Sequence, residues 1–475
     1  MFDHMRKLAA INYLIVVLSL VGMGWLTVGT PESEVRAEAL TLDVKPPAIG
    51  ADASVKYDYP IVYVRAPRTI RRGDKDVPSA WPEFGHPTRI DPGYDLMLLE
   101  PDGTEQVLVA GGKGAVTDPF VSFDGQSVYY CYHHDPAAGE WTAGADIYRI
   151  HVKTRKVVRL THQQLTPNTG VADWVKDYRT PEKGKAHLPF GVYNLGPCPL
   201  PGDKLVFVSN RDCLEVPRGY PRYTLQLFVA DDDGKNVEKI GHLNVAGALH
   251  PVVLTDGRVI FSSLESQGIR GSIQWGIWSI HPDGNNWAPV VSAFHRANGF
   301  HFQSQLSDGT IVVENYYNQN NRGFGTHLKL PLQAPDGAAG FSPGATGKAD
   351  DPGMRMLSSN GRWGSLRLPF KPYGLEVVTH FASFADRSAG QSDPNDLKSP
   401  RVGKVTHPSG APDNHLLTVW TPGATPNANG PVKEDVHAGI YLIKNGQAID
   451  APGQMLRIKH DAGYNTHWPR ALVSY

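Results

Sequence analysis

The chain has 475 residues, 49 of them Gly and 38 Pro, with 41% hydrophobic and 20% charged residues and a formal net charge of -1. That hydrophobic share is enough for a packed core and the glycine and proline load asks for many turns, which excludes a disordered chain and leaves two domains or one large β architecture. The near-neutral balance supplies no broad basic field, which excludes general nucleic-acid binding.

Arg6 and Lys7 precede an apolar run from Leu8 to Val28, followed by a polar stretch and the small-residue triplet Ala37-Glu38-Ala39. A basic start, an apolar run and an A-x-A site together form an export signal. The run is also long enough to stay in the bilayer as an uncleaved anchor. Residues 1–39 are thus read as a signal peptide or N-terminal membrane anchor, and the membrane is touched only through this segment. Both readings place the body outside the cytoplasm, periplasmic or secreted. Residues 40–56 read as a linker.

From residue 57 onward the chain repeats with a period of roughly 50 residues, a spacing typical of propellers. "YPIVYVRAPR", "YDLMLLEPDG" and "TEQVLVAG" supply three strands of a first unit that lacks its opening strand. Full units follow: "TDPFVSFDGQSVYYCYHHD" with "ADIYRIHVKTRKVVRLTH", then "LGPCPLPGDKLVFVSNRD" with "LQLFVADDDGKNVEKIGH", then "ALHPVVLTDGRVIFSSLE" with "WGIWSIHPDGNNWAPVVS". A fourth full unit opens with "GFHFQSQLSDGTIVVENYY" and loses regularity in a Gly-, Pro- and Ala-rich insertion at about 331–400. The next resumes at "KVTHPSGAPDNHLLTVWTPG". Short apolar or alternating segments joined by Asp-Gly turns are antiparallel hairpins, and four strands make one blade. The tail "NTHWPRALVSY" matches the opening strand of the other units, so Thr466 to Val473 should pair as the innermost strand of the first blade. The expectation is an all-β, six-bladed β-propeller over 57–475, with the C-terminal strand closing the N-terminal blade and removing exposed strand edges.

The "SFDGQSVYY" and "DIYRIHVKTRKVVRLTH" patterns resemble the TolB-type, WD-like propeller repeat of exported bacterial proteins. "NTGVADW", "FGVYNLGPCPLPGDKLVFVSNRD", "ALHPVVLTDGRVIFSS" and "YYNQNNRGFGT" resemble the propeller domain of the hydrazine synthase alpha-subunit family, over roughly residues 57 to 475. That resemblance implies the propeller fold. The enzyme uses c-type haems, whose covalent attachment requires Cys-x-x-Cys-His; no such motif occurs in the chain, so no covalent c-type haem is expected and hydrazine synthesis does not carry over.

Propeller geometry places the long second-to-third-strand loops on one face, where binding is expected. Arg65, Arg68, Arg211, Arg222 and Arg322 fall in or beside these loops and suit planar contacts with an anionic ligand; pairing with nearby carboxylates such as Asp76 is the competing reading. His250, His301, His407 and His467 open the first strands of four units, with Asp118 at the matching place in a fifth. Converging at the channel mouth, they would form a zinc or copper site; otherwise each imidazole caps its own turn. Alternate members of Cys131-Tyr132-His133-His134-Asp135 offer a further, weaker donor set. In an oxidising compartment, Cys198 and Cys213 are expected to pair while Cys131 stays reduced, against the alternative of unpaired buried thiols. Two functions remain open: a scaffold that binds a protein partner or small anionic ligand through its long-loop face, or a subunit of a redox enzyme with a channel metal or a haem-bearing partner.

Overall fold

The computed structural model describes residues 43–81, 89–138, 143–163, 191–211, 224–241, 247–264, 275–291, 299–316, 323–330, 376–382, 402–423, 425 and 436–475. These form six four-stranded antiparallel blades. Blade one combines Tyr464–Ala471 from the C-terminus with Ile61–Pro67, Asp95–Leu99 and Glu105–Val109; blade two is Ala115–Val121, Ser127–His133, Ala145–His151 and Val157–Arg159. Blade three holds Asn194–Leu200, Lys204–Ser209, Gln226–Asp231 and Glu238–Lys239, and blade four Ala248–Val253, Val259–Leu264, Trp275–Ile280 and Ala288–Val291. Gly299–Gln305, Ile311–Tyr316, Thr326–Leu330 and Glu376–Val377 make blade five, and Lys404–Ala411, His415–Thr421, Gly439–Ile443 and Leu456–Lys459 make blade six. Each first strand touches the first strands of both neighbouring blades, so the ring is closed.

Closure occurs as the sequence implies. Ile61 pairs with Ala471, Arg65 with Thr466 and Pro67 with Tyr464, which makes the tail the innermost strand of the N-terminal blade. The strand starts two residues earlier than expected and ends at Ala471. The insertion at about 331–400 lies mostly outside the described residues; within it, Glu376–Val377 forms the outer strand of blade five, and Val378 and Phe381 are buried behind it.

The strand alternation explains where the cores lie. Opposite faces of each blade pack on the two neighbouring blades, giving apolar clusters between blades around the ring. Val62, Val64 and Leu96 meet Val128 and Tyr130 between blades one and two. Ile260 and Ile277 meet Ile311 and Val313 between blades four and five. Tyr63 and Met97 meet Leu417 and Leu442 across the closing seam. Burial of this kind is the main favourable term in folding.

Turn chemistry holds the hairpins in register. In six Asp-Gly turns the carboxylate Oδ1 of Asp102, Asp124, Asp233, Asp256, Asp283 or Asp308 accepts the backbone N–H two residues on, at 2.8 to 3.0 Å. The following glycine takes a positive φ of 68 to 89°, which L-residues with a Cβ adopt only at a cost. Residues 43–56, read from the sequence as linker, run beside the outer strand of blade six. Ala48 bridges Arg457, whose N–H donates to Pro47 O at 2.7 Å, and Lys444 bonds Asp52 at 2.7 Å.

Deleting residues 464–475 removes the innermost strand of blade one and bares two strand edges. The truncated chain is expected to lose its cooperative calorimetric transition or to aggregate; melting like the intact chain would contradict the closure.

Candidate functional site

Every first strand carries the same irregularity. Pairing with the second strand slips at Asp118-Pro119, Gly196-Pro197, His250-Pro251, Phe302-Gln303, His407-Pro408 and Trp468-Pro469. In each pair the leading residue sits in the left-handed region, with φ between 46 and 59°. These are β-bulges, in which an extra residue leaves the ladder and re-aims its neighbours. A bulge is one of the few sheet positions where proline loses no ladder bond, which accounts for its presence in five of the six. Blade five has Gln303 instead, and its side-chain amide donates to His250 O while Oε1 accepts from Ser262 Oγ at 3.2 Å. Gly196 takes this conformation freely. The other five leading residues pay roughly 1–2 kcal/mol each for it.

The bulges aim their leading side chains into the channel. His250, Phe302, His407 and Trp468, from four consecutive blades, form a chain of ring contacts with centroids 4.3, 4.4 and 4.5 Å apart. Blades two and three contribute only Asp118 and Gly196, so space remains on their side. A small cavity occupies it, lined by bulge residues and, one step toward the short-turn face, by Phe120, Val252 and Arg470. On the long-loop side Trp81 lies against His467 at 3.9 Å and Phe324 at 4.3 Å.

Arg470 is the cation of the cavity. Its Nε donates to Pro119 O in blade two and its Nη1 to Ser409 Oγ in blade six, both at 3.3 Å, and its guanidinium lies 4.9 Å over the Phe120 ring. Burial lowers its pKa from the usual value. Asp118 faces the same cavity. Burial raises its carboxyl to about 6, against the opposing pull of the Thr117 hydroxyl, which donates to Oδ2 at 3.0 Å, and of the Arg470 charge. Burial also pushes His250 down to about 3 and His407 well below the ordinary imidazole value, with the Arg470 charge acting in the same direction on both. Both rings are therefore neutral near pH 7. His250 Nε2 and both nitrogens of His407 are buried without a hydrogen-bond partner among the described residues. At neutral pH the cavity thus offers a guanidinium fork, a carboxyl group, neutral imidazoles and apolar walls.

The expected site residues distribute differently from the sequence reading. His250, His407 and Asp118 lead their bulges, but His301 and His467 sit one residue before theirs, where Phe302 and Trp468 take the channel position. Among the described residues no three His, Cys, Asp or Glu side chains are grouped to hold a metal ion. The five expected zinc or copper ligands therefore do not assemble as one site, because the one-residue difference in phase splits them around the bulge. Turn capping does not account for the rings of His407 and His467 either, since neither has a hydrogen-bond partner among the described residues. His133 is buried, with Nε2 3.3 Å from Thr117 Oγ1, while His134 bonds Asp146 at 2.8 Å.

The arginines are held within the blades and the loops beside them. Arg65 pairs with Asp95 at 2.9 Å and stacks on Tyr464; Arg68 donates to Ala462 O at 2.9 Å and Val436 O at 3.2 Å. Arg211 is buried against Phe228 and donates to Asn194 Oδ1 at 2.7 Å. Arg71 pairs with Asp76 and Arg72 with Asp91. Arg222 and Arg322 lie outside the described residues. Cys131 and Cys198 are free, buried thiols, and Cys213 lies outside the described residues. Cys198 sits opposite Val206, toward the short-turn end of blade three. Arg470 was missed altogether. Its only sequence signal is an arginine in "HWPRALV", two residues past the bulge, where the other blades carry Phe120, Cys198, Val252, Ser304 and Ser409.

No protein-family model matches the chain, and no curated protein matches it. Among solved structures it is similar to Kuenenia stuttgartiensis hydrazine synthase, at 14% identity and a TM-score of 0.54, over 88% of this chain and 47% of that one. The chain thus spans about half the length of that protein. It is also similar to a nidogen/laminin complex, at 7% identity and a TM-score of 0.42 over 87% and 99% of the two chains. A third similar structure is a putative TolB from Agrobacterium tumefaciens, at 18% identity and a TM-score of 0.28 over 42% and 56%. The likeness to hydrazine synthase is one of fold, a β-propeller.

Two outcomes test this geometry. At φ 48° His407 should tolerate glycine better than alanine, reversing the usual order inside a strand, with His407→Gly more stable than His407→Ala by about 1 kcal/mol in urea melts. An alanine variant as stable as the glycine one would show that the bulge is not strained. Burial pushes the Cys198 thiol up to about 12 and Cys131 well above its ordinary value. Ellman's reagent should therefore modify both only after denaturation, and fast labelling of either in the native protein would contradict their burial.

Proposed function

We propose that this chain is an extracytoplasmic binding scaffold that takes a small oxyanion into its central channel from the short-turn face. The observation that carries the reading is Arg470, a half-buried guanidinium lining a cavity together with apolar groups, neutral imidazoles and the Asp118 carboxyl. Of the five N–H donors of an arginine, the Pro119 and Ser409 bonds engage two, leaving donors for a ligand. Asp118 opposes this charge without a direct ion pair, and a bound carboxylate or phosphate-type group would engage the remaining guanidinium donors through charge-assisted bonds. Arg470 also braces blades two and six against blade one, and the two roles are compatible. A scaffold that binds rather than transforms is the economical reading of a cavity whose histidines are held neutral and whose carboxyl shares the space with a fixed cation. The apolar leader supports work outside the cytoplasm.

Isothermal titration calorimetry of the full-length chain with acetate, benzoate and inorganic phosphate tests this reading. At least one should bind, and Arg470→Gln should weaken it about ten- to a hundredfold, the range for a lost charge-assisted hydrogen bond. Binding that survives in Arg470→Gln, or no binding by any of the three, would contradict the assignment.

A further inference from the structure

We infer that the ligand is a monocarboxylate with a compact apolar or aromatic body, and that Asp118 sets the limit of one negative charge. The inference rests on the channel reading above and narrows it.

The cavity is arranged in two tiers along the channel. The guanidinium of Arg470 stands in the tier toward the short-turn face, and its planar fork matches the two oxygens of a carboxylate. Behind it, at the bulges, the lining is mainly rings: Phe302, Trp468 and the pyrrolidines of Pro119, Pro197, Pro251 and Pro408. A molecule whose carboxylate meets Arg470 therefore places its remaining atoms against apolar and aromatic surface, where a flat or branched hydrocarbon body gains and a hydrated one loses. The unpartnered nitrogens of His250 and His407 stand at the same tier and would accept from or donate to one hydroxyl or carbonyl substituent.

Charge sets the second constraint. Among the described residues of the lining, Arg470 supplies the one cation and Asp118 the one carboxyl. Around Asp118, the Thr117 hydroxyl donates from the same strand, the Gly196 N–H from blade three and the Cys131 thiol from the second strand of blade two, and the Arg470 charge acts from blade one. None of these is a second cation that could meet a second anionic group. One ligand carboxylate is matched by Arg470; a second, or the second charge of phosphate, would face Asp118 and neutral imidazoles in a medium that screens poorly.

Calorimetric titration of the full-length protein at pH 7.5 with benzoate, benzyl alcohol, phthalate and inorganic phosphate reads both constraints. Benzoate should bind at least tenfold more tightly than each of the other three. In Asp118→Asn the penalty for phthalate relative to benzoate should shrink to less than threefold. Phthalate or phosphate binding as tightly as benzoate to the unaltered protein would overturn the inference while leaving the channel reading in place. An unchanged phthalate penalty in Asp118→Asn would overturn the role of Asp118. Should that variant fail to fold, the ranking of the four probes on the unaltered protein decides the inference by itself. If none of the anions binds, the channel reading fails and this inference with it.

Discussion

The left-handed bulge repeated in the innermost strand of every blade is the constraint on which the channel depends. A straight strand would alternate its side chains between the two neighbouring blades and would leave the axis lined by backbone. The bulge breaks that alternation once per blade and turns one side chain inward, from Asp118 around to Trp468. What the channel contains then follows from six residues. Four large rings fill one side, Asp118 and Gly196 leave the other open, and Arg470 reaches into the opening from blade one. The strain at five non-glycine positions is tolerated because the cores between blades hold both sides of each bulge in place.

The fold was legible in the sequence because its signals are local and repeated. Asp-Gly at six of the hairpins, apolar alternation in the strands and a missing first strand at one end matched by a spare one at the other identify the ring without long-range information. Proline inside a strand that otherwise reads as central was the one visible mark of the bulges. The recurrence of histidine near those prolines was real, yet its meaning turned on a phase difference of one residue. His301 and His467 precede their bulges while His250 and His407 lead theirs, and a slip of one position in a strand changes the face on which a side chain lies. Nothing in the sequence fixes that phase in blade five, where Gln303 stands in place of proline.

Charged groups were less legible than turns for a related reason. Arginines beside long loops resemble a binding face, but cross-strand geometry engages several of them with near neighbours, as Arg65 with Asp95 and Arg211 with Asn194. The buried carboxylate of Asp146 is similarly absorbed: it accepts from Thr161, Gln163, Asn194, Arg159 and His134, and these donors hold its pKa below the ordinary value despite burial. Such a saturated network rigidifies the junction of blades two and three and leaves no acceptor for a ligand. The channel is the opposite case, with a guanidinium incompletely engaged and imidazole nitrogens without partners among the described residues. That contrast, more than the size of the cavity, separates a polar group that builds the fold from one available for binding.

The proposed ligand site is the bulge ring beside Arg470, on the short-turn side of the channel. Crystals of the full-length protein grown with 4-bromobenzoate would test it directly through the anomalous signal of bromine. A single strong peak is expected in the cavity against Phe302 and Trp468, with the carboxylate on Arg470. A bromine peak on the long-loop face, with the channel free of ligand, would contradict it.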